Sequence, residues 1–192
     1  MIPNLVQYLR DQGTAGIGPP GPVFAGGLFF NGVTGPGVAG PDTDGTFLAA
    51  RTTASGGGGR YGLFYIGIPY ATGPTLTSSQ WLYGLQQDIT NRTNLALLNL
   101  DSAEQDPSVY RIELFDGNSG RKVNSIEGIV LSPGQWTQLN SILSHFAIGT
   151  TQSYARVSRS DGFGTFLAYA VINDGAAPGE RTGDGAFIAS SP

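Results

Sequence analysis

The sequence contains no cysteine, one histidine and one lysine among 192 residues. Without cysteine there is no disulfide framework, no thiolate-held zinc and no thiol nucleophile. With His145 as the sole histidine, neither a three-histidine site nor a His-Glu-x-x-His zinc site can be assembled. Charge is scarce too: 12% of residues are Asp, Glu, Lys or Arg, about half the usual share for a globular chain. The ten basic residues are scattered and the net charge is −4, which excludes the clustered cationic footprint of a nucleic-acid binder. No apolar run approaches the length of a membrane span. The first twelve residues do not read as a signal peptide, because Asn4, Gln7 and Arg10 interrupt the apolar positions. The chain is then either cytosolic or a mature fragment of something larger, the second being the expectation.

What is abundant is glycine, with 30 residues, and proline, with 12, alongside 40% hydrophobic residues. That apolar content is enough to offset chain entropy, so the composition is that of a folded chain. Its length suits one large all-β domain or two small ones. A surface this poor in charge must be finished with Ser, Thr, Asn, Gln and Gly, as on exported β proteins or subunits covered in an assembly.

Residues 3–12 are the one expected helix, with Pro3 suited to a first turn, Leu5, Val6 and Leu9 on one face and Gly13 as the stop. Beyond them, short apolar segments alternate with turn chemistry, the pattern of a sandwich or barrel. Strands are expected near 23–31, 46–53, 61–68, 81–85, 92–100, 109–115, 122–131, 135–140, 152–159, 164–173 and 185–189. Tyr110, Ile112 and Leu114 alternate with Arg111 and Glu113, marking a half-buried strand. Residues 95–100 and 166–172 are apolar on both faces and should be central strands, covered on each side. Asp116-Gly-Asn-Ser-Gly120 and Pro133-Gly134 supply turns. Gly45-Thr-Phe-Leu-Ala49 returns as Gly164-Thr-Phe-Leu-Ala168, a repeat that suggests a duplicated strand pair. If so, Phe47 and Phe166 should hold equivalent inward positions.

Candidate chemistry is thin. His145 has no Gly-x-Ser-x-Gly elbow to serve, and Glu104, Glu113, Glu127 and Glu180 form no pair that spacing can argue. No enzymatic activity is expected. Asp42 and Asp44, ahead of Gly45, hold a fragment of a calcium loop without the closing Glu. Turn-forming aspartate is the favoured reading there, so no cofactor is expected, with calcium the alternative. Tyr61, Tyr65, Tyr70, Trp81, Tyr83, Trp136 and Tyr154 could build a sugar-stacking platform, and Trp81, Tyr83 and Trp136 are its leading candidates. Asn91-Arg-Thr93 matches a glycosylation sequon, a weak signal by itself. Val23, Phe24, Leu28, Phe29 and Phe30, in a Gly/Pro-rich stretch, carry an apolar load that needs a sheet to cover it. They could join a neighbouring subunit's sheet edge or fold back on their own chain.

Several pieces in order carry a resemblance: Asn91-Arg-Thr-Asn-Leu-Ala-Leu-Leu-Asn-Leu100, Leu114-Phe-Asp-Gly117 and Leu131-Ser-Pro-Gly-Gln-Trp-Thr-Gln-Leu-Asn140. Tyr154-Ala-Arg-Val157, Phe166-Leu-Ala-Tyr169, Asn173-Asp174 and Thr182-Gly-Asp-Gly185 complete the set. Together they resemble the repeated β-sandwich modules of large secreted or surface proteins of environmental bacteria. The resemblance implies a non-catalytic extracellular part with no transferable site residues. The expected organisation is an N-terminal helix and Gly/Pro-rich arm over 1–44, a partial β module and connection over 45–84, and a complete sandwich over 85–192.

The expectation is an all-β antiparallel sandwich, immunoglobulin-like or jelly-roll, with a short N-terminal helix and an extended arm. It would work outside the cell or at its surface as a structural or adhesive module. Its partners would be other copies of itself or a parent surface protein, with carbohydrate possible and neither nucleic acid nor a membrane span involved. A self-assembling fibre subunit joined by strand addition and a carbohydrate-binding module are the alternatives.

Overall fold

The computed structural model describes residues 4–14, 49–56, 59–67, 79–101, 105–175 and 185–191. Along the chain come α1 (Leu5–Asp11), β1 (Ala49–Gly56), β2 (Gly59–Ile66), β3 (Gln80–Gln86), β4 (Asn91–Asn99) and β5 (Ser108–Asp116). They are followed by β6 (Lys122–Leu131), β7 (Trp136–Leu139), α2 (Ile142–Phe146), β8 (Gln152–Asp161), β9 (Phe166–Asp174) and β10 (Ala186–Ala189). Two four-stranded antiparallel sheets result, β10-β9-β4-β7 and β3-β8-β5-β6, called here sheet I and sheet II, beside a β1-β2 hairpin. This is an all-β sandwich, as the turn-punctuated apolar segments require.

The chain keeps changing sheets: from β3 in sheet II to β4 in sheet I, back to β5, and again at β6-β7, β7-β8 and β8-β9. Only β5-β6 and β9-β10 follow one another within a sheet of the sandwich. Both sheets feed one core. Leu82, Leu85, Ile112, Leu114, Ala155 and Val157 face Leu95, Leu97, Phe166, Ala168 and Ala170, all buried. Tyr110 of sheet II meets Phe166 of sheet I edge to face, centroids 5.2 Å apart, a geometry aromatic pairs favour. Burial pushes the Tyr110 phenol up to about 12, against a hydrogen bond from Ser108 that lowers it.

β4 and β9 occupy the centre of sheet I, and even their outward-facing Ala96, Leu98 and Val171 are buried. The hairpin is one cover. Gly185 N–H donates to the Gly62 carbonyl (3.1 Å), Leu63 is buried, and Tyr65 packs edge-on to Phe187 at 5.6 Å. The boundary expected between residues 84 and 85 falls inside β3, which pairs with β8 from Gln80 to Gln86.

A second helix, α2, was not expected. It is only five residues long, begins after Ser141 at φ 47°, and buries Ile142 and Leu143 in the core. Ala49 and Ala168 close the two copies of the repeat, and they differ: Ala49 is exposed in the hairpin, Ala168 fully buried in β9. That mismatch argues against two equivalent strands; Phe47 lies outside the described residues.

Candidate aromatic surface

Sheet II has an outer face built by period-two alternation. While Leu82, Ile112, Leu114, Ala155 and Val157 point inward, Trp81 and Tyr83 of β3, Phe115 of β5, and Tyr154 and Arg156 of β8 come together on the other side. The register sets the rows: Trp81 lies opposite Arg156 and Arg156 opposite Glu113. One step along, Tyr154 lies opposite Phe115 and Phe115 opposite Lys122.

Four rings touch in one cluster. Trp81 and Tyr83 are near parallel (9°, centroids 6.1 Å), as are Phe115 and Tyr154 (3°, 4.9 Å). The two pairs meet at 5.8–6.0 Å through Tyr154 with Tyr83 and with Trp81, tilted by 30° and 39°. Tyr83, at the free end, is 56% exposed. β3 holds its pair in place in two ways. Gly84, at φ +75°, forms a bulge that returns Leu85 to the core after Tyr83 has faced outward. The Trp81 N–H donates to the Ser191 carbonyl (2.7 Å) and the Ser191 N–H donates back (2.9 Å), fastening the sheet edge.

Arg156 sits over the Trp81 ring at 5.6 Å, a cation–π contact. Its Nε donates to Glu113 Oε2 (2.7 Å), and its Nη2 pairs with the same oxygen. Lys122 Nζ reaches Glu113 Oε1 at 3.3 Å. Burial works to raise the Glu113 pKa, but the hydrogen bonds from Arg156 and Lys122, with the charges of Arg156 and Arg111, hold it below its ordinary value. Glu113 is thus an anchor for two cations and has no partner carboxylate for glycosidase chemistry in these contacts.

Beside the rings, the β5-β6 turn forms a depression of about 550 Å³ lined by Asp116, Ser119, Arg121, Lys122 and Val123. Tyr154 Oη donates to the Gly120 carbonyl (3.3 Å), joining turn and ring cluster. Asp116 Oδ1 accepts from the Ser119 N–H (2.7 Å) and Oγ (2.6 Å).

Of the three leading aromatic candidates, Trp81 and Tyr83 come together and Trp136 does not. Trp136 stands on β7 of sheet I, and its Nε1 donates to Tyr169 Oη (2.9 Å). With Tyr169, Phe187 and Tyr65 it forms a separate row across sheet I. The members that spacing missed are Phe115, Arg156 and Glu113. Their part depends on strand register, and the only sequence signal was the outward phase of β5 and β8.

His145 is exposed on α2, its Nδ1 3.0 Å from the Ser141 carbonyl and 3.4 Å from Ser144 Oγ. The sequon is internally engaged. Asn91 Nδ2 donates to Thr90 Oγ1 (2.9 Å), and fully buried Thr93 exchanges hydrogen bonds with the Gln86 backbone. Asp42, Asp44, Val23, Phe24, Leu28, Phe29 and Phe30 lie outside the described residues. Among the described residues, no three His, Cys, Asp or Glu side chains gather to hold a metal, and no helix is long and apolar enough to cross a membrane. Comparison with protein-family models, curated proteins and solved structures finds no match.

Proposed function

We propose that this chain is a non-catalytic β-sandwich module that acts outside the cell by adhesion, with the ring cluster of sheet II as its contact surface and a polysaccharide as its ligand. One observation carries the reading. Four contacting rings stand on the outer face of a sheet whose inner face is already packed, so the core does not account for them. Aromatic faces suit the apolar C–H faces of sugar rings, and the polar rim suits hydroxyls. The scarcity of charge and the resemblance to surface modules favour an extracellular setting.

Electrophoresis through gels containing a dissolved polysaccharide tests this. The native chain should be retarded relative to a polysaccharide-free gel, and Trp81→Ala should migrate nearly unretarded while keeping its far-ultraviolet spectrum. Equal migration of both proteins across a panel of neutral and acidic polysaccharides would refute the reading.

A further inference from the structure

We propose that the polysaccharide taken by this surface is acidic, with the rings of Trp81, Tyr83, Phe115 and Tyr154 supporting sugar faces while Arg121 and Lys122 receive a uronate carboxylate in the adjoining depression. This rests on the proposed adhesive function and names the ligand class of the same site. The argument is one of charge complementarity. The chain is acidic as a whole, at −4, yet the depression at the β5-β6 turn, tied to the ring cluster by the Tyr154–Gly120 hydrogen bond, brings together Arg121 and Lys122, the chain's only lysine. Lys122 stands opposite Phe115 in the ladder, and its side chain is 53% exposed.

The carboxylates nearby do not cancel this. Glu113, with 8% of its side chain exposed, is shared by Arg156 and Lys122 and balances one of their two charges. Asp116 lines the depression, but one of its oxygens is already taken twice by Ser119. Glu127 lies further along β6, where it accepts from Ser125. An anionic group approaching from the rings therefore meets three cationic side chains, Arg156, Lys122 and Arg121, against two carboxylates already engaged, Glu113 and Asp116. A neutral glucan would use the rings alone; a uronan also uses the cationic edge.

The test compares two oligosaccharides of one linkage: cello-oligomers, and their oxidised counterparts in which a carboxylate replaces each exocyclic hydroxymethyl group. Calorimetric titration of the full chain should show the oxidised oligomer binding roughly tenfold or more tightly, with the advantage shrinking as salt rises. The double variant Arg121→Gln/Lys122→Gln should lose that advantage and keep the neutral affinity, whereas Trp81→Ala should weaken both. Coincident thermal unfolding of native and variant chains would show that the fold is intact. Equal affinity for the two oligomers, or an advantage untouched by the double variant, overturns the uronate assignment and leaves the ring platform standing. Selective binding of the oxidised oligomer that survives Trp81→Ala overturns the joint site. Absence of binding by either oligomer overturns the platform and the assignment together.

Discussion

Gln80 does for β9 what a neighbouring strand would do. Fully buried, its Nε2 donates to the Phe166 carbonyl (2.6 Å), and its Oε1 accepts from the Ala168 N–H and Ser190 Oγ, both at 2.7 Å. A buried amide that completes a ladder is costly to remove, because the backbone groups it served lose their partner. Gln80→Leu should therefore destabilise the fold by about 2–3 kcal/mol in urea unfolding; an unchanged midpoint would contradict this role. Asn99 acts similarly at the end of β4, its Nδ2 donating to the Leu131 carbonyl (3.0 Å) and its Oδ1 accepting from the Asp101 N–H (3.0 Å). Phe166→Ala removes the ring that spans the two sheets and should cost roughly 3–5 kcal/mol by the same measurement. Glu113 adds a pH dependence. Its folded pKa is lowered from 4.5, so the stability it contributes is present above that value and is lost as pH falls through the depressed one. Glu113→Gln should flatten the acid limb of a stability-against-pH curve, and an acid limb identical to the native one would contradict the pairing. Of these roles, the inward placing of Phe166 was legible in the sequence, whereas those of Gln80 and Glu113 were not. Arg92 Nη1 donates to the carbonyls of Asp174 (3.1 Å) and Gly175 (2.8 Å).

β3 depends on one glycine. At φ +75° and with open space where a Cβ would stand, Gly84 is demanded by conformation and not by crowding. Gly84→Val should cost roughly 1–2 kcal/mol and should also disturb the placing of Tyr83. Native stability in the variant would show that the bulge can relax. Elsewhere the elements were largely legible. Tyr110, Ile112 and Leu114 are buried on the core side of β5 as their alternation required, and the doubly apolar stretches became the central strands β4 and β9. The short α2 was not legible, since five residues after a left-handed serine carry too little periodicity to register. Nor could the ring surface be assembled from sequence. Phe115 and Tyr154 lie far along the chain from Trp81, and only the β5-β8 and β3-β8 registers make them neighbours. Ring type alone does not say which sheet a strand joins, so nothing in the sequence separates Trp136 from Trp81.

As a whole molecule, the sandwich places one tryptophan in each sheet: Trp81 in sheet II and Trp136 in sheet I. A shared core should make the sheets unfold together. The single-tryptophan variants Trp81→Phe and Trp136→Phe, each followed by fluorescence in denaturant, should then give for each chain a transition that coincides with its own far-ultraviolet one. Separate transitions would mean that each sheet folds on its own. The outer faces of the two sheets are used differently. Sheet I buries its outer aliphatic residues beneath a row of rings and the β1-β2 hairpin, whereas sheet II carries its rings at the surface with a cationic depression at their edge. The proposed function turns on that difference. It is tested most directly by amide chemical-shift mapping of the isotope-labelled chain titrated with an acidic oligosaccharide. The account predicts shifts concentrated on Trp81, Tyr83, Phe115, Tyr154 and the turn from Asp116 to Lys122, with the row around Trp136 and Tyr169 unmoved. Shifts centred on sheet I, or none at saturating ligand, would contradict it.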